Sequence, residues 1–109
     1  MELFFKTARL QKVCNSGALL LKTYGVDNSR RIRKRLAVLE AATSLADVPT
    51  IPPERCHALK GPFAGCFAVD VLQPYRILFS PAHELRAQSA RVQPHKVTAI
   101  LILEIVDYH

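Results

Sequence analysis

The sequence predicts an α+β domain, with two N-terminal helices packed on one face of a mostly antiparallel sheet of four to five strands. Helical periodicity is confined to residues 7–43, whereas the residues after the proline-rich stretch 48–53 alternate as strands do. Helices and strands that are segregated along a chain are typical of α+β folds. With 109 residues the chain can bury a real core, and we assign residues 1–109 to one domain.

The first helical segment follows a short edge strand predicted at residues 2–5. It is interrupted at residues 15–17, where Ser16 can cap a new turn, and Gly25 is a typical C-terminal stop. Since only a short loop follows, the next helix should pack antiparallel to this one. The apolar stripe of the first segment comprises Leu10, Val13, Cys14, Leu20, Leu21 and Tyr24.

The second helix is predicted at residues 30–43, after an N-cap cluster at residues 27–29. Ile32, Leu36 and Leu39 have the i, i+4, i+7 spacing of a buried stripe. Five cations occupy positions 30–35, and because they cannot all face the core, most should form a solvated outer surface.

Strands are predicted at residues 55–60, 66–72 and 75–79, the last two joined by a tight turn at residues 73–74. Alternation directs Arg76 away from the core. Residues 80–96 form a long polar connection that could contain a short helix at residues 83–91. The residues expected to face the core are Phe67, Val69, Val71, Tyr75, Ile77 and Phe79.

Residues 97–106 are nearly all apolar and many are β-branched, which indicates a strand buried on both faces and therefore inside the sheet. This strand is too short to span a bilayer. It should hold the three residues that follow it, and the sheet face without helices should be open to solvent or a ligand. The polar candidates on that open face are His57, Lys60, Asp70, Arg76, Asp107, Tyr108 and His109.

The composition favours a basic protein of a reducing compartment. A net charge of +6 suggests an acidic partner, either nucleic acid or an acidic protein. Cys14, Cys56 and Cys66 lack metal-ligand spacing and are best interpreted as small buried hydrophobes. Their odd number and the lack of a signal peptide favour a cytoplasmic location.

Several sequence features recur in an order typical of one family. Tyr24-Gly25 precedes a basic helix, a crossing loop follows at residues 45–53, and residues 55–61 read RCHALKG. Tyr75-Arg76-Ile77 lies on a hairpin, and residues 104–109 read EIVDYH. Over nearly its whole length the chain thus resembles the RelE/ParE superfamily of bacterial toxin–antitoxin toxins, and within it the HigB-type plasmid maintenance killer branch. It departs from the pattern at Tyr75, where relatives often have tryptophan, and in its long 80–96 connection.

The resemblance implies a RelE-like microbial RNase fold and an endoribonuclease toxin that cleaves mRNA on the ribosome and so inhibits translation. It implies no metal or other cofactor and no membrane. Its partners would be mRNA on the ribosome and a cognate helix-turn-helix, HigA-like antitoxin. The positions that match the family's active site are His57, Lys60, Arg76, Asp107, Tyr108 and His109.

These residue types suit metal-free RNA cleavage by the RNA's own 2′-OH, which needs a base, an acid and cations for the phosphorane charge. A histidine can be acid or base, and the sequence leaves open which of His57 and His109 is which. Arg76 can bind phosphate through two N–H groups, and Lys60 adds a point charge. Asp107 could orient His109 if the two share a strand face, whereas Tyr108 could stack on a base.

One spacing conflicts with a regular strand. His57 and Lys60 are three residues apart and would lie on opposite faces, unless a bulge occurs near Gly61 or Lys60 belongs to the strand end.

Three of the candidates also have an ordinary structural explanation: His57 could be merely structural, Arg76 could simply pair with Asp70 across the hairpin, and Tyr108 could lie at the edge of the core. The basic run at residues 30–35 could instead contact ribosomal RNA or an acidic antitoxin segment. Two other functions stay open, namely a ParE-like toxin that binds DNA gyrase without catalysis and an inactive relative that binds only its antitoxin and operator. His57 together with the terminal triplet favours the nuclease, because gyrase-type relatives lack that set.

Overall fold

The computed structural model of the chain describes residues 1–82 and 92–107. The helices in this part are α1, Ala8–Cys14, and α2, Gly17–Ala41. The strands are β1, Glu2–Phe5; β2, His57–Ala58; β3, Phe67–Asp70; β4, Tyr75–Pro81; and β5, Ala99–Asp107. The sheet order is β1-β5-β4-β3-β2, with β1 parallel to β5 and the other pairs antiparallel. The predicted α+β class is confirmed, while the short helix considered at residues 83–91 lies outside the described residues.

Strand β5 lies between β1 and β4, so its predicted position inside the sheet is confirmed. It begins at Ala99 rather than at Val97, because Val97 closes a 3₁₀ turn, Pro94–Lys96, through its backbone N–H. The prediction that it is buried on both faces is wrong. Ile100, Ile102 and Ile105 are buried in the core, whereas Leu101 and Leu103 are partly exposed and Glu104 is exposed.

Both helices begin after a residue whose side chain caps the first turn. The Ser16 side chain accepts from the N–H of Leu19, which confirms its predicted role, and Thr7 does the same for α1. Gly25 interrupts α2 with φ +86° and ψ 175°. The prediction that the second helix begins at residue 30 is wrong, because helical geometry resumes directly after Gly25. The Ser29 hydroxyl donates to the carbonyl of Val26 and does not cap the helix.

The break at Gly25 folds the two halves of α2 back on each other. In a straight helix, residues 17 and 33 would be about 24 Å apart along the axis. Instead, Arg33 Nη1 lies 3.8 Å from the position that a Cβ on Gly17 would occupy. This distance requires a reversal of the chain and agrees with the predicted antiparallel pairing.

The core lies between the helices and one face of the sheet. All six side chains predicted to face inward from β3, β4 and the turn between them belong to it or pack against it. The α-amino group of Met1 donates to the carbonyls of Leu39, Glu40 and Ala42, and so satisfies acceptors at the end of α2.

Neither helix in the described part has an apolar stretch of the length needed to cross a membrane. The largest fully buried side chains are Leu20, Ile32, Leu39, Ile77, Phe79, Ile100 and Ile102.

Replacing Gly25 by alanine should lower the free energy of unfolding by about 1–3 kcal/mol, because its backbone conformation is one that only glycine adopts readily. Apart from its immediate neighbours along the chain, no atom lies within 4 Å of the added methyl group, so the loss would come from the backbone and not from a clash. Urea unfolding followed by circular dichroism measures it.

The matched control is Gly17→Ala. Gly17 lies at the start of α2 without a positive φ, and the new Cβ would make an ordinary contact with Arg33. Its stability should stay equal or rise by up to about 1 kcal/mol. Equal losses in the two variants would contradict the role assigned to the Gly25 break.

Candidate functional site

The face of the sheet opposite the helices, called here the open face, brings together three of the predicted candidates. His57 is paired with Ala68, and Asp70 is paired with Arg76. Since Ala68 and Asp70 are two residues apart on β3, His57, Asp70 and Arg76 share one face. Arg76 therefore points away from the core, as predicted.

Asp70 is the centre of a cluster that it forms with Arg35, Arg55 and Arg76, called here the Asp70 cluster. Arg55 donates from Nε and Nη2 to the two carboxylate oxygens, at 2.6 and 3.1 Å. Arg76 Nε lies 3.6 Å from Asp70 Oδ1, which is the ordinary ion pair considered from the sequence. From the core side, Arg35 of α2 donates from Nε to the backbone carbonyl of Asp70, at 2.7 Å. Three guanidinium groups and one carboxylate give this cluster a formal charge of 3 − 1 = +2.

Arg35 and Arg55 are functional candidates that the sequence reasoning did not identify. Arg35 is only 5% exposed, although most other members of the basic run at residues 30–35 are exposed as predicted. Its place at i+3 from Ile32 and four residues before Leu39 puts it on the buried stripe, and that spacing could have revealed it. Arg55 lies two residues before His57, and a period of two could have revealed that the two side chains share a face.

Two backbone hydrogen bonds fix the segment that contains Arg55. Its N–H donates to the carbonyl of Ile51, and the Asp70 N–H donates to the carbonyl of the preceding residue, Glu54. Arg55 has φ of +45°, a left-handed conformation that is uncommon outside glycine. The side chain compensates by its two bonds to Asp70, which also raise the pKa of the Arg55 guanidinium.

His57 is oriented by the backbone of Arg55. Its Nδ1 lies 2.7 Å from the Arg55 carbonyl oxygen. A carbonyl oxygen only accepts, so Nδ1 must carry the proton of this bond. In the neutral ring, Nε2 is then the atom that can accept a proton. The ring is half-buried on the open face.

Lys60 lies beyond the end of β2, which spans only His57–Ala58 and is shorter than the predicted strand. It precedes the 3₁₀ turn Gly61–Phe63, and Gly61 has φ of +65°. Of the two explanations for the His57–Lys60 spacing, a position past the strand end is therefore the one observed. The Lys60 side chain is exposed.

Asp107 does not join the open face. It is paired with Tyr75, whereas Arg76 is paired with Val106, so the expectation that Asp107 shares a face with Arg76 is wrong. Tyr75 makes an edge-to-face contact with Tyr24 of α2, at 5.5 Å between ring centroids, which places this face on the helix side. Tyr108 and His109 lie outside the described residues.

The cysteines behave as buried apolar groups. Cys14 and Cys56 are buried, as predicted, and burial raises the pKa of each to about 11. Cys66 is half-buried, and burial raises its pKa as well. Thiols of this kind are weak nucleophiles at neutral pH. Among residues 1–82 and 92–107, no three His, Cys, Asp or Glu side chains meet as metal ligands would.

No model of a known protein family matches the chain, and no curated protein matches it significantly. The family resemblance therefore stays a prediction from the residues quoted for it. On the open face, the arginines that pair with Asp70 lie beside a histidine that can accept a proton. Groups of this kind suit an anionic phosphodiester.

The free energy of unfolding should decrease above about pH 9, where deprotonation of the thiols begins to favour the unfolded chain. With folded pKa values of about 11 for Cys14 and Cys56 against an ordinary 9.0, the unfolded chain loses protons that the folded chain keeps. The contribution of each thiol is complete below about pH 9 and is lost between about pH 9 and 11, by at most roughly 2–3 kcal/mol.

Urea unfolding at about pH 8 and about pH 10 tests this linkage. Cys56→Ala should show a smaller decrease than the parent chain, because it lacks one of the two thiols. Cys66→Ala, at a half-buried position, is the control and should change the decrease less. A decrease that is the same in Cys56→Ala and in the parent would contradict the role of burial.

Proposed function

We propose that this protein is an endoribonuclease, the toxin of a bacterial type II toxin–antitoxin system, which cleaves mRNA on the ribosome and so inhibits translation. The observation that supports it most directly is the position of His57 beside the Asp70 cluster on the open face. RNA supplies its own nucleophile, so the protein needs only proton transfer and positive charge.

In this proposal, Nε2 of neutral His57 takes the proton of the RNA 2′-OH. The 2′-oxygen then forms a bond to the adjacent phosphorus while the bond from phosphorus to the 5′-oxygen breaks. The products are a 2′,3′-cyclic phosphate and a 5′-hydroxyl. The hydrogen bond from His57 Nδ1 to the Arg55 carbonyl supports the role of base, since it leaves Nε2 as the acceptor.

The remaining roles follow from the chemistry that the reaction needs. Arg76 stabilises the charge that develops on the phosphorane oxygens, and Lys60 adds an exposed cation at the rim. His109 would return a proton to the leaving 5′-oxygen, and Tyr108 would stack on a base. Asp107 has no direct contact with the phosphate in this scheme, because it lies on the helix side of β5.

The proposed partners are mRNA on the ribosome and a helix-turn-helix, HigA-like antitoxin. The net charge of +6 is compatible with both an RNA and an acidic protein segment. The proposal includes no cofactor and no metal, because the 2′-OH reaction needs neither. The proposed place of action is the cytoplasm, where ribosomes are found.

A second candidate function is an inactive relative that binds only its antitoxin. Two observations favour it: Asp70 already pairs with Arg76, and Asp107 lies on the opposite face of the sheet. A ParE-like toxin that binds DNA gyrase is the third candidate. A cleavage assay on ribosomes separates the nuclease from both.

Primer extension on ribosomes programmed with a defined mRNA should show codon-linked cleavage by the parent chain and a loss of about 10²–10⁴-fold in rate for His57→Ala. The reason is the loss of the proton acceptor, and because the ring is only half-buried the variant should still fold. His109→Ala should reduce the rate by a similar factor, through the loss of the acid.

His95→Ala is the matched control, since His95 is an exposed histidine in the 3₁₀ turn Pro94–Lys96. It should cleave at the parental rate, and melting curves should show that all three variants fold. Cleavage by His57→Ala at the parental rate would remove His57 from the site. Absence of cleavage by the parent would favour one of the binding functions.

Affinity for single-stranded RNA should decrease with salt if cations of the open face contact phosphates. The expected slope of log K against log salt is about −0.7 for each contact, so roughly three contacts give about −2. Fluorescence anisotropy with a labelled oligoribonucleotide between low and moderate salt measures it. A binding constant that does not change with salt would mean that the basic surface serves a partner other than RNA.

A further inference from the structure

We propose that Arg55 is a second phosphate-binding residue beside Arg76, and that Asp70 is the positioning residue that holds both guanidinium groups toward one phosphate of single-stranded RNA. This inference deepens the proposed function and rests on it for the identity of the anion. Neither Arg55 nor Asp70 belongs to the set that the family resemblance implies.

The hydrogen bonds of Arg55 leave it suited to a second anion. Asp70 binds the guanidinium along one edge, through Nε and Nη2. A guanidinium is planar and has five N–H donors, so the adjacent edge, formed by Nη1 and the second N–H of Nη2, points in a different direction from the edge that Asp70 binds. The Arg55 side chain is 42% exposed, and in this proposal a phosphate reaches the second edge from solvent.

One carboxylate oxygen brings the two arginines together. Asp70 Oδ1 lies 3.1 Å from Arg55 Nη2 and 3.6 Å from Arg76 Nε. Two guanidinium groups so close would repel each other without the carboxylate between them. Asp70 therefore fixes their separation as well as their orientation. A phosphate that contacts both would complete a second bridge on the solvent side.

Arg35, the buried arginine beside Asp70, adds positive charge that favours binding of an anion. Arg35 is almost fully buried, and the bond that its Nε makes is to a neutral backbone carbonyl. A buried cation is stabilised when negative charge lies nearby, and here the carboxylate of Asp70 is shared with Arg55 and Arg76. The four members of the Asp70 cluster together carry a formal charge of +2, which attracts a phosphodiester.

The backbone of Arg55 connects this phosphate site to the proposed base. The Arg55 carbonyl accepts from Nδ1 of His57, so one residue orients the ring while its side chain reaches the carboxylate of Asp70. A phosphate on the outer edge of Arg55 would lie on the same face as His57. The same anchor would thus set the distance between the phosphate and the proton acceptor.

The first test measures binding without cleavage, with a short 2′-O-methyl oligoribonucleotide that lacks the attacking hydroxyl. Arg55→Ala should weaken binding and make the salt slope shallower by about 0.7, the loss of one phosphate contact. Arg30→Ala is the matched control, because Arg30 is an exposed arginine that also pairs with a carboxylate, that of Asp27 at 3.4 Å. Arg30→Ala should keep the parental slope. A parental slope in Arg55→Ala would overturn the inference.

The second test separates positioning from binding. Asp70→Asn removes a negative charge that repels phosphate but no phosphate contact, and this gain offsets the lost preorganisation of the arginines, so affinity for the oligonucleotide should stay equal or increase. The rate of mRNA cleavage on ribosomes should nevertheless decrease at least tenfold, because the two guanidinium groups lose their fixed orientation. Arg55→Lys keeps the charge but not the planar guanidinium group. It should keep the parental slope of log K against log salt and cleave mRNA more slowly. Parental cleavage by Asp70→Asn would overturn the positioning role.

Melting curves show whether each variant folds, and Arg55→Lys replaces Arg55→Ala in the rate comparison if the alanine variant is unfolded. If the parent cleaves mRNA and the Arg55 variants match it in slope and rate, the inference is wrong and the nuclease function stands. If the parent does not cleave but Arg55→Ala still makes the slope of log K against log salt shallower by about 0.7, the nuclease function is wrong and the phosphate site stands.

Discussion

The structure depends on one residue, Asp70, to connect elements that are distant in sequence. Its backbone carbonyl accepts from Arg35 of α2, and its N–H donates to the carbonyl of Glu54 before β2. Its carboxylate binds Arg55 and Arg76 on the open face. These contacts connect three parts of the chain at Asp70: the helix layer, the segment that precedes β2 and the β3–β4 hairpin. The arginines of the Asp70 cluster lie around the same residue.

The arginines lie around Asp70 because the two faces of the sheet differ in what covers them. The helices bury one face, so arginines on that side must find acceptors at the margin of the core, as Arg35 does. On the open face, guanidinium groups keep contact with water while they pair with Asp70. An apolar layer on one side and a hydrated, positively charged layer on the other are what a sheet needs to bind a polyanion without losing its core.

Local pattern was sufficient to predict most of the fold, because capping, alternation and helical period depend on neighbouring residues. Ser16, Gly25 and the inward positions of β3 and β4 were found in this way. The face of Asp107 could not be found, since β5 is apolar at every position except Glu104 and Asp107 and so gives too little alternation from which to count. The register shift opposite Leu78 and Phe79 then changes which residues face the core, from Ile100 and Ile102 to Ile105. A bulge of this kind depends on the partner strand and leaves no local signal.

The site shows a related limit, because the sequence presented the structural and functional roles of Arg76 as alternatives. An ion pair with Asp70 was the structural one, and the structure has it. The two roles are nevertheless compatible. A guanidinium held by a carboxylate has already lost much of its rotational freedom, so less entropy is lost when it binds a phosphate. The same reasoning applies to Arg55, whose left-handed backbone and two bonds to Asp70 fix the side chain before any ligand arrives. Pairing with Asp70 is therefore a condition for a preorganised anion site as much as a reason to doubt one.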